Sequence, residues 1–128
     1  MLEVRNLTVA IDSEAGELRP VEGVSFSVAD GECFALVGES GCGKSMTALA
    51  LMRLLPDAAR VVSGEVRAGG TDLMRLPESE MQKRRGSGIA MIFQEPASSL
   101  NPVLPVGEQI VEALMLHKPL TARLRTRE

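Results

Sequence analysis

The sequence predicts an α/β fold, and three observations carry that expectation. Residues 2–28 hold two segments in which apolar and polar residues alternate, the period of half-buried antiparallel strands. The stretch Gly38-Glu39-Ser40-Gly41-Cys42-Gly43-Lys44-Ser45 reads G-x-x-x-x-G-K-S, with the apolar run Cys33–Val37 before it and a helix-compatible run after it. Strand, glycine-rich loop and helix in that order form a phosphate-binding unit. A second short apolar run, Ile89–Phe93, has the composition of a buried strand of a parallel sheet.

Taken from the N-terminus, Leu2, Val4, Leu7, Val9 and Ile11 alternate with polar residues, with a break at Arg5-Asn6 that suits a bulge. Asp12–Pro20 is polar, contains Gly16 and is expected to be a hairpin loop. Val24, Phe26 and Val28 then share one face of a second strand, and Asp30-Gly31 is a strong turn signal. Cys33–Val37 is expected to be a buried strand leading into the loop.

Within the loop, glycines let the backbone fold back with its N–H groups pointing inward. The helix beginning near Lys44 adds unpaired N–H groups and the positive end of its dipole. Hydrogen bonds to a charged partner contribute roughly 1.5–3 kcal/mol each, so several such donors hold a phosphate chain. Lys44 is placed to reach the β- and γ-phosphates, and the Ser45 hydroxyl to ligate Mg²⁺. The predicted phosphate-binding set is therefore Gly38, Glu39, Ser40, Gly41, Cys42, Gly43, Lys44, Ser45 and Met46. Cys42 reads as a small loop-filling residue. A dinucleotide fingerprint fits worse, because Met46 stands where a third small residue is wanted.

Ala48, Leu49, Met52 and Leu55 recur at helical spacing, and Pro56-Asp57 is expected to close that helix. Ser63–Val66 suggests a short strand and Gly69-Gly70 a turn. Pro77-Glu78-Ser79-Glu80 has the acids of a helix start, and Lys83-Arg84-Arg85 before Gly86 the bases of a helix end. After Ile89–Phe93, the segment from Gln94 through Pro102 reads as a loop. Val106, Ile110, Val111 and Leu114 mark a last amphipathic helix, which fades near Lys118-Pro119.

Composition narrows the classes. The 128 residues suit one domain, and 45% hydrophobic with 24% charged is a globular balance. A net charge of −3 gives no basic field for nucleic acid. No apolar run approaches the roughly 18–20 residues that span a bilayer. Cys33 and Cys42 have no metal-site spacing, and His117 is the one histidine, so a reduced, cytoplasmic chain is expected. The methionines are scattered as core packing residues would be. Leu120–Glu128 is charged and stops without a closing element, so the sequence predicts an incomplete chain.

Three stretches together resemble an ATP-binding subunit of an ATP-binding-cassette (ABC) transporter: Leu36–Ser45, Met91-Ile92-Phe93-Gln94-Glu95-Pro96, and Ser98-Ser99-Leu100-Asn101-Pro102. Leu2–Leu7, Val24–Val28 and Asp30-Gly31-Glu32 match the same family in order and spacing. Glu39 and the Ser-Leu-Asn-Pro segment resemble the oligopeptide, dipeptide and nickel importer branch. The resemblance implies a P-loop NTPase core of ABC type with an antiparallel β-subdomain in residues 1–94. It implies the Gln loop and the start of a helical subdomain in residues 95–128. It implies ATP and Mg²⁺ as cofactors, with Lys44 and Gln94 in catalytic roles and Ser45 and Gln94 on the metal. A neutral amide at Gln94 can accept from water or ligate Mg²⁺ without adding charge beside the γ-phosphate.

Implied partners are a second ATP-binding subunit, as homo- or heterodimer, and the transporter's membrane subunits, on the inner face of the cell membrane. The position matching the family's adenine-stacking aromatic is about Ile11, and the chain has no Tyr or Trp. The sequence also has no Leu-Ser-Gly-Gly signature and no apolar run ending in Asp-Glu, so binding without turnover is expected of it. The alternatives are a non-catalytic nucleotide-binding fragment, and a small P-loop kinase or GTPase. The second lacks the base-reading Asn-Lys-x-Asp.

Overall fold

A computed structural model describes residues 1–14, 16–93 and 99–117. Two compact units divide between Met81 and Gln82. The first is built on an antiparallel sheet of order β2-β1-β3-β4, formed by β1 (Leu2–Ser13), β2 (Gly16–Val28), β3 (Ala59–Ala68) and β4 (Thr71–Asp72). β1 lies between β2 and β3, so its apolar face is covered most completely. Val4, Leu7 and Val9 on β1 and Val66 on β3 are at most 1% exposed. Burying such side chains contributes roughly 1.5–3 kcal/mol each, which is what fixes the register.

The break expected at Arg5-Asn6 is a bulge in fact. Asn6 takes φ +48°, and the register shifts between Val4 and Leu7 on the β2 side. The bulge presses the chain against β3: a Cβ on Gly64 would stand 2.5 Å from Leu7 Cα, so only glycine fits there. The hairpin loop is much shorter than the expected Asp12–Pro20. Ser13 pairs directly with Gly16, and the strand pairing carries Leu18 and Pro20 into β2. Pro20 is tolerated because β2 is an edge strand and the residue sits where the register shifts between Val9 and Ile11. The short strand expected at Ser63–Val66 likewise extends in both directions to fill the pairing offered by β1.

Helix α1 (Lys44–Met52) stops three residues before the expected Leu55. Arg53 adopts the left-handed conformation, its N–H donates to Ala50 O, and Leu54 N–H donates to Leu49 O at 2.9 Å. This double closure satisfies the last carbonyls, a role usually given to glycine. Arg53 is held there by its side chain, which donates to Leu73 O at 3.3 Å and Leu76 O at 2.6 Å and pairs with Glu78 at 3.5 Å. The buried face is Thr47, Ala50 and Met52. A short 3-10 turn, Leu73–Arg75, and helix α2 (Glu78–Arg84) complete the unit's core through Leu73 and Met81, both fully buried. The acids Glu78 and Glu80 open α2 and Lys83 and Arg84 end it, as expected, with Gly86 beyond at φ +82°.

The second unit, described over 82–93 and 99–117, contains helix α3 (Val106–His117) and a parallel bridge between Arg85 and Ile89. None of the side chains of α3 is buried. Gln109 on α3 organises the preceding loop. Its Oε1 accepts from Asn101 N–H at 2.8 Å, and its Nε2 donates to Asn101 O at 3.1 Å and Leu104 O at 3.0 Å.

Two expectations fail. Cys33–Val37 and Ile89–Phe93 are not strands: neither has ladder pairing among the described residues, apart from the single bridge at Ile89. Val37 and Ile92 are each 89% exposed. Their composition suits a buried strand, but a strand needs partners on its hydrogen-bonding edges. The four described strands pair only with one another.

Candidate phosphate-binding site

The eight residues Gly38–Ser45 form an open loop that ends in α1. Gly41 and Gly43 take φ +84° and +89°, the left-handed region that turns successive N–H groups to the same side. At Gly41 a Cβ would meet nothing within 4 Å, so conformation alone asks for glycine there. At Gly43 space asks for it too: a Cβ would fall 2.1 Å from Pro20 O and 3.3 Å from Val21 Cγ2. Edge strand β2 is thus seated directly on the last turn of the loop.

Gly43 is the N-cap of α1 and offers no side-chain cap. The first intrahelical bond is Thr47 N–H to Gly43 O at 2.8 Å, reinforced by Thr47 Oγ1 at 3.0 Å. The N–H groups of Lys44, Ser45 and Met46 therefore have no acceptor within the helix. The first turn contains no acidic residue. An uncapped helix start, without a carboxylate to compete, is an anion site by construction.

Lys44 supplies the mobile charge. Its Nζ donates to Gly38 O and Glu39 O, both at 2.6 Å, and lies 3.4 Å from Cys42 Sγ. The lysine thus spans the mouth of its own loop and satisfies carbonyls that face it. A phosphate entering the loop meets this ammonium at the loop itself and competes with the two carbonyls for its N–H donors. Ser45 and the loop residues Gly38–Cys42 are exposed, Met46 is half-buried and Gly43 is buried. Gly38 packs against Cys42 closely enough that a Cβ would lie 2.5 Å from Sγ, consistent with Cys42 as a loop-filling residue.

Of the residues expected in the site, Gly38–Met46 come together in the first unit. Gln94, with Glu95, Pro96 and Ser98, lies outside the described residues. Ile11 sits on the central strand β1, half-buried between Leu18 and Ala59. A cavity of about 300 Å³ opens beside the loop, and Ile11 is not among its lining residues. That cavity is walled instead by Arg19–Glu22 and Val24 of β2, by Leu36 and Val37, and by Cys42, Lys44 and Thr47. Sequence reasoning missed Arg19 because Asp12–Pro20 looked like a loop. No local signal places it in a strand, because Leu18 and Val21 are three residues apart and Pro20 interrupts the alternation.

Comparison with known proteins agrees with this geometry. The ABC transporter family model matches residues 21–127. The chain is 46% identical over its whole length to the dipeptide transport ATP-binding protein DppD of Bacillus subtilis, of which it covers 38%. It is 45% identical over 94% of its length to the oligopeptide transport ATP-binding protein OppD of Escherichia coli, of which it covers 36%. The chain thus spans little more than a third of the length of these curated relatives. Its fold superimposes on the ATP-binding cassette MJ0796, solved as a dimer bound to ADP and Pi. The TM-score is 0.83 at 23% identity, over 98% of this chain and 52% of that one. A glycine-rich loop running into an uncapped α1, inside a matching fold and a matching sequence, leads to one conclusion: the chain belongs to the ABC transporter family.

Proposed function

We propose that this chain is the N-terminal, nucleotide-binding part of the ATP-binding subunit of a transporter that imports peptides or similar small solutes. The observation carrying the reading is the phosphate loop, with Lys44 poised across it and the N–H groups of Lys44, Ser45 and Met46 unpaired in the helix. The peptide-transport names of DppD and OppD support the substrate class. Residues 1–94 form the nucleotide-binding core with its antiparallel β-subdomain, and residues 95–128 the Gln loop and the beginning of a helical subdomain. The apolar residues of α3, including Ile110, Leu114 and Leu116, are exposed, which supports a docking role toward membrane subunits. A second ATP-binding subunit completes the site. The assembly lies on the cytoplasmic face of the cell membrane, held there by the membrane subunits; no described helix of this chain is long and apolar enough to cross it.

Mg²⁺ fits as a companion of the nucleotide. No group of three or more His, Cys, Asp or Glu among the described residues could hold a metal ion by itself. One hydroxyl, Ser45, is what a Mg²⁺ that arrives with phosphate oxygens and waters requires. When bound, Mg²⁺ supplies charge neutralisation at the β- and γ-phosphates. Lys44 would pair with the phosphate oxygens, the N–H groups at the start of α1 would hold the phosphates, and Gln94 would orient the attacking water.

The chain alone binds ATP and does not turn it over, because its sequence contains neither the signature nor an apolar run ending in Asp-Glu. Calorimetric titration of the 128-residue chain with Mg-ATP tests this. Binding is expected, and Lys44→Ala should weaken it about 10- to 100-fold, the worth of one charge-assisted contact. Absence of binding would refute the reading, and multiple turnovers at the rate of an intact subunit would refute the second statement.

A further inference from the structure

We infer that Arg19 is the base-stacking residue of this nucleotide site, its guanidinium plane doing the work that an aromatic ring does elsewhere. The inference rests on the phosphate-site reading above and deepens it. With the phosphates at Lys44 and the start of α1, the base has to lie within a nucleoside's length of the loop. The cavity of about 300 Å³ shared by Arg19, Pro20, Leu36, Cys42, Lys44 and Thr47 lies there, at the small end of the range for ligand pockets. The close approach of Pro20 O to Gly43, which leaves no room for a Cβ there, sets β2 beside the loop.

The planar groups available are few. The chain contains no Tyr or Trp and three Phe residues. Phe26 and Phe34 are stacked on each other, centroids 4.9 Å apart and planes 5° from parallel, and neither they nor Phe93 line this cavity. Arg19 does line it.

Arg19 is also held in a way that favours stacking over phosphate binding. Its Nε donates to Glu17 Oε1 at 2.9 Å, and Nη1 lies 3.9 Å from Glu22 Oε1. Glu17 is itself anchored, its other oxygen accepting from Arg60 Nη2 at 2.6 Å, while Arg60 also pairs with Asp12. Glu17 thus holds one N–H of the guanidinium, and the two nearby carboxylates offset its charge, which makes it a weaker partner for a triphosphate than Lys44. The faces of a guanidinium plane carry no donors and can stack on a flat ring, and the Arg19 side chain is 48% exposed. Bases stack readily on arginine planes, and stacking does not discriminate strongly among bases because each has a π-face.

The test titrates the 128-residue chain with ATP, GTP and inorganic tripolyphosphate, in the wild type, Arg19→Ala, Arg19→Phe and Lys44→Ala. Arg19→Ala should weaken ATP about tenfold and leave tripolyphosphate unchanged. Arg19→Phe should retain ATP affinity, since it restores a flat surface without charge, and ATP and GTP should bind alike. Equal weakening of ATP and tripolyphosphate by Arg19→Ala would make Arg19 a phosphate contact and overturn the inference. So would unchanged ATP binding. Lys44→Ala should weaken all three ligands. If it weakens none, the phosphate-site reading itself falls, whatever Arg19 does. Thermal unfolding of each variant reports any change in fold, and Arg19→Phe keeps the test decisive should Arg19→Ala lose stability.

Discussion

Two sets of apolar residues in this chain, each in a segment that reads as a strand, have opposite fates. Val4, Leu7 and Val9 on β1 are buried to 1% exposure or less, whereas Val37 and Ile92, in the runs Cys33–Val37 and Ile89–Phe93, are each 89% exposed. β1 alternates apolar and polar residues over its length, whereas the two runs are apolar throughout and ask for burial at least as strongly. β1 has a neighbour on each edge, β2 and β3, both supplied within the first 68 residues. The two apolar runs have none among the described strands. Strand formation is therefore a property of a pair of segments. Hydrophobicity can ask for burial, but the backbone N–H and C=O groups must be satisfied first.

Mutations should separate the two regions sharply. Leu7→Ala, in the paired region, should lower the unfolding free energy by about 2–5 kcal/mol, the usual cost of a cavity in a core that cannot collapse. Chemical denaturation followed by circular dichroism would show it, and a loss below about 1 kcal/mol would mean that the sheet packs more loosely than its burial suggests. Ile92→Ser, in the unpaired region, should change stability by less than about 0.5 kcal/mol, as exposed substitutions do. It should also reduce self-association in sedimentation experiments, because an apolar run without edge partners invites pairing with another chain. A destabilisation like that of Leu7→Ala would place Ile92 inside a packed core and erase the contrast.

The smallest effect sharpens the picture on the solvent side of the paired region. Glu65 and Arg67, two residues apart on β3, share an ion pair at 2.6 Å. The hydrogen bond from Arg67 holds the Glu65 carboxyl below its ordinary value. A depressed folded-state value means that the stabilisation is complete above the unfolded-state range and fades as pH falls through the lowered value. Glu65→Gln should therefore narrow, slightly, the difference in melting temperature between neutral and acidic pH. A widened difference would show that Glu65 works against the fold.

Much of the candidate site could be read from sequence because the information it uses is local. Gly41 and Gly43 are needed for positive φ, and Lys44–Met46 for being the first turn of a helix. Spacing along eight residues encodes both. The acids and bases of α2 were legible for the same reason, since a helix dipole acts on its own ends. Arg19 was not legible. Its place beside Lys44 depends on β2 starting at Gly16, and that start depends on Ser13 finding a partner across the hairpin. The end of α1 was missed similarly: Arg53 takes a glycine's conformation because carbonyls of Leu73 and Leu76, some twenty residues on, accept from its guanidinium.

The sequence by itself determined the phosphate loop, the helix that follows it and the apolar stripe of the central strand. Each follows from steric rules and periodicities acting over a few residues. Tertiary structure decided which apolar runs become strands, where α1 ends, and which side chain faces the phosphate loop from the edge strand. Those outcomes turn on pairing between segments far apart in the chain, where a hydrogen bond gained by one backbone depends on the position of another.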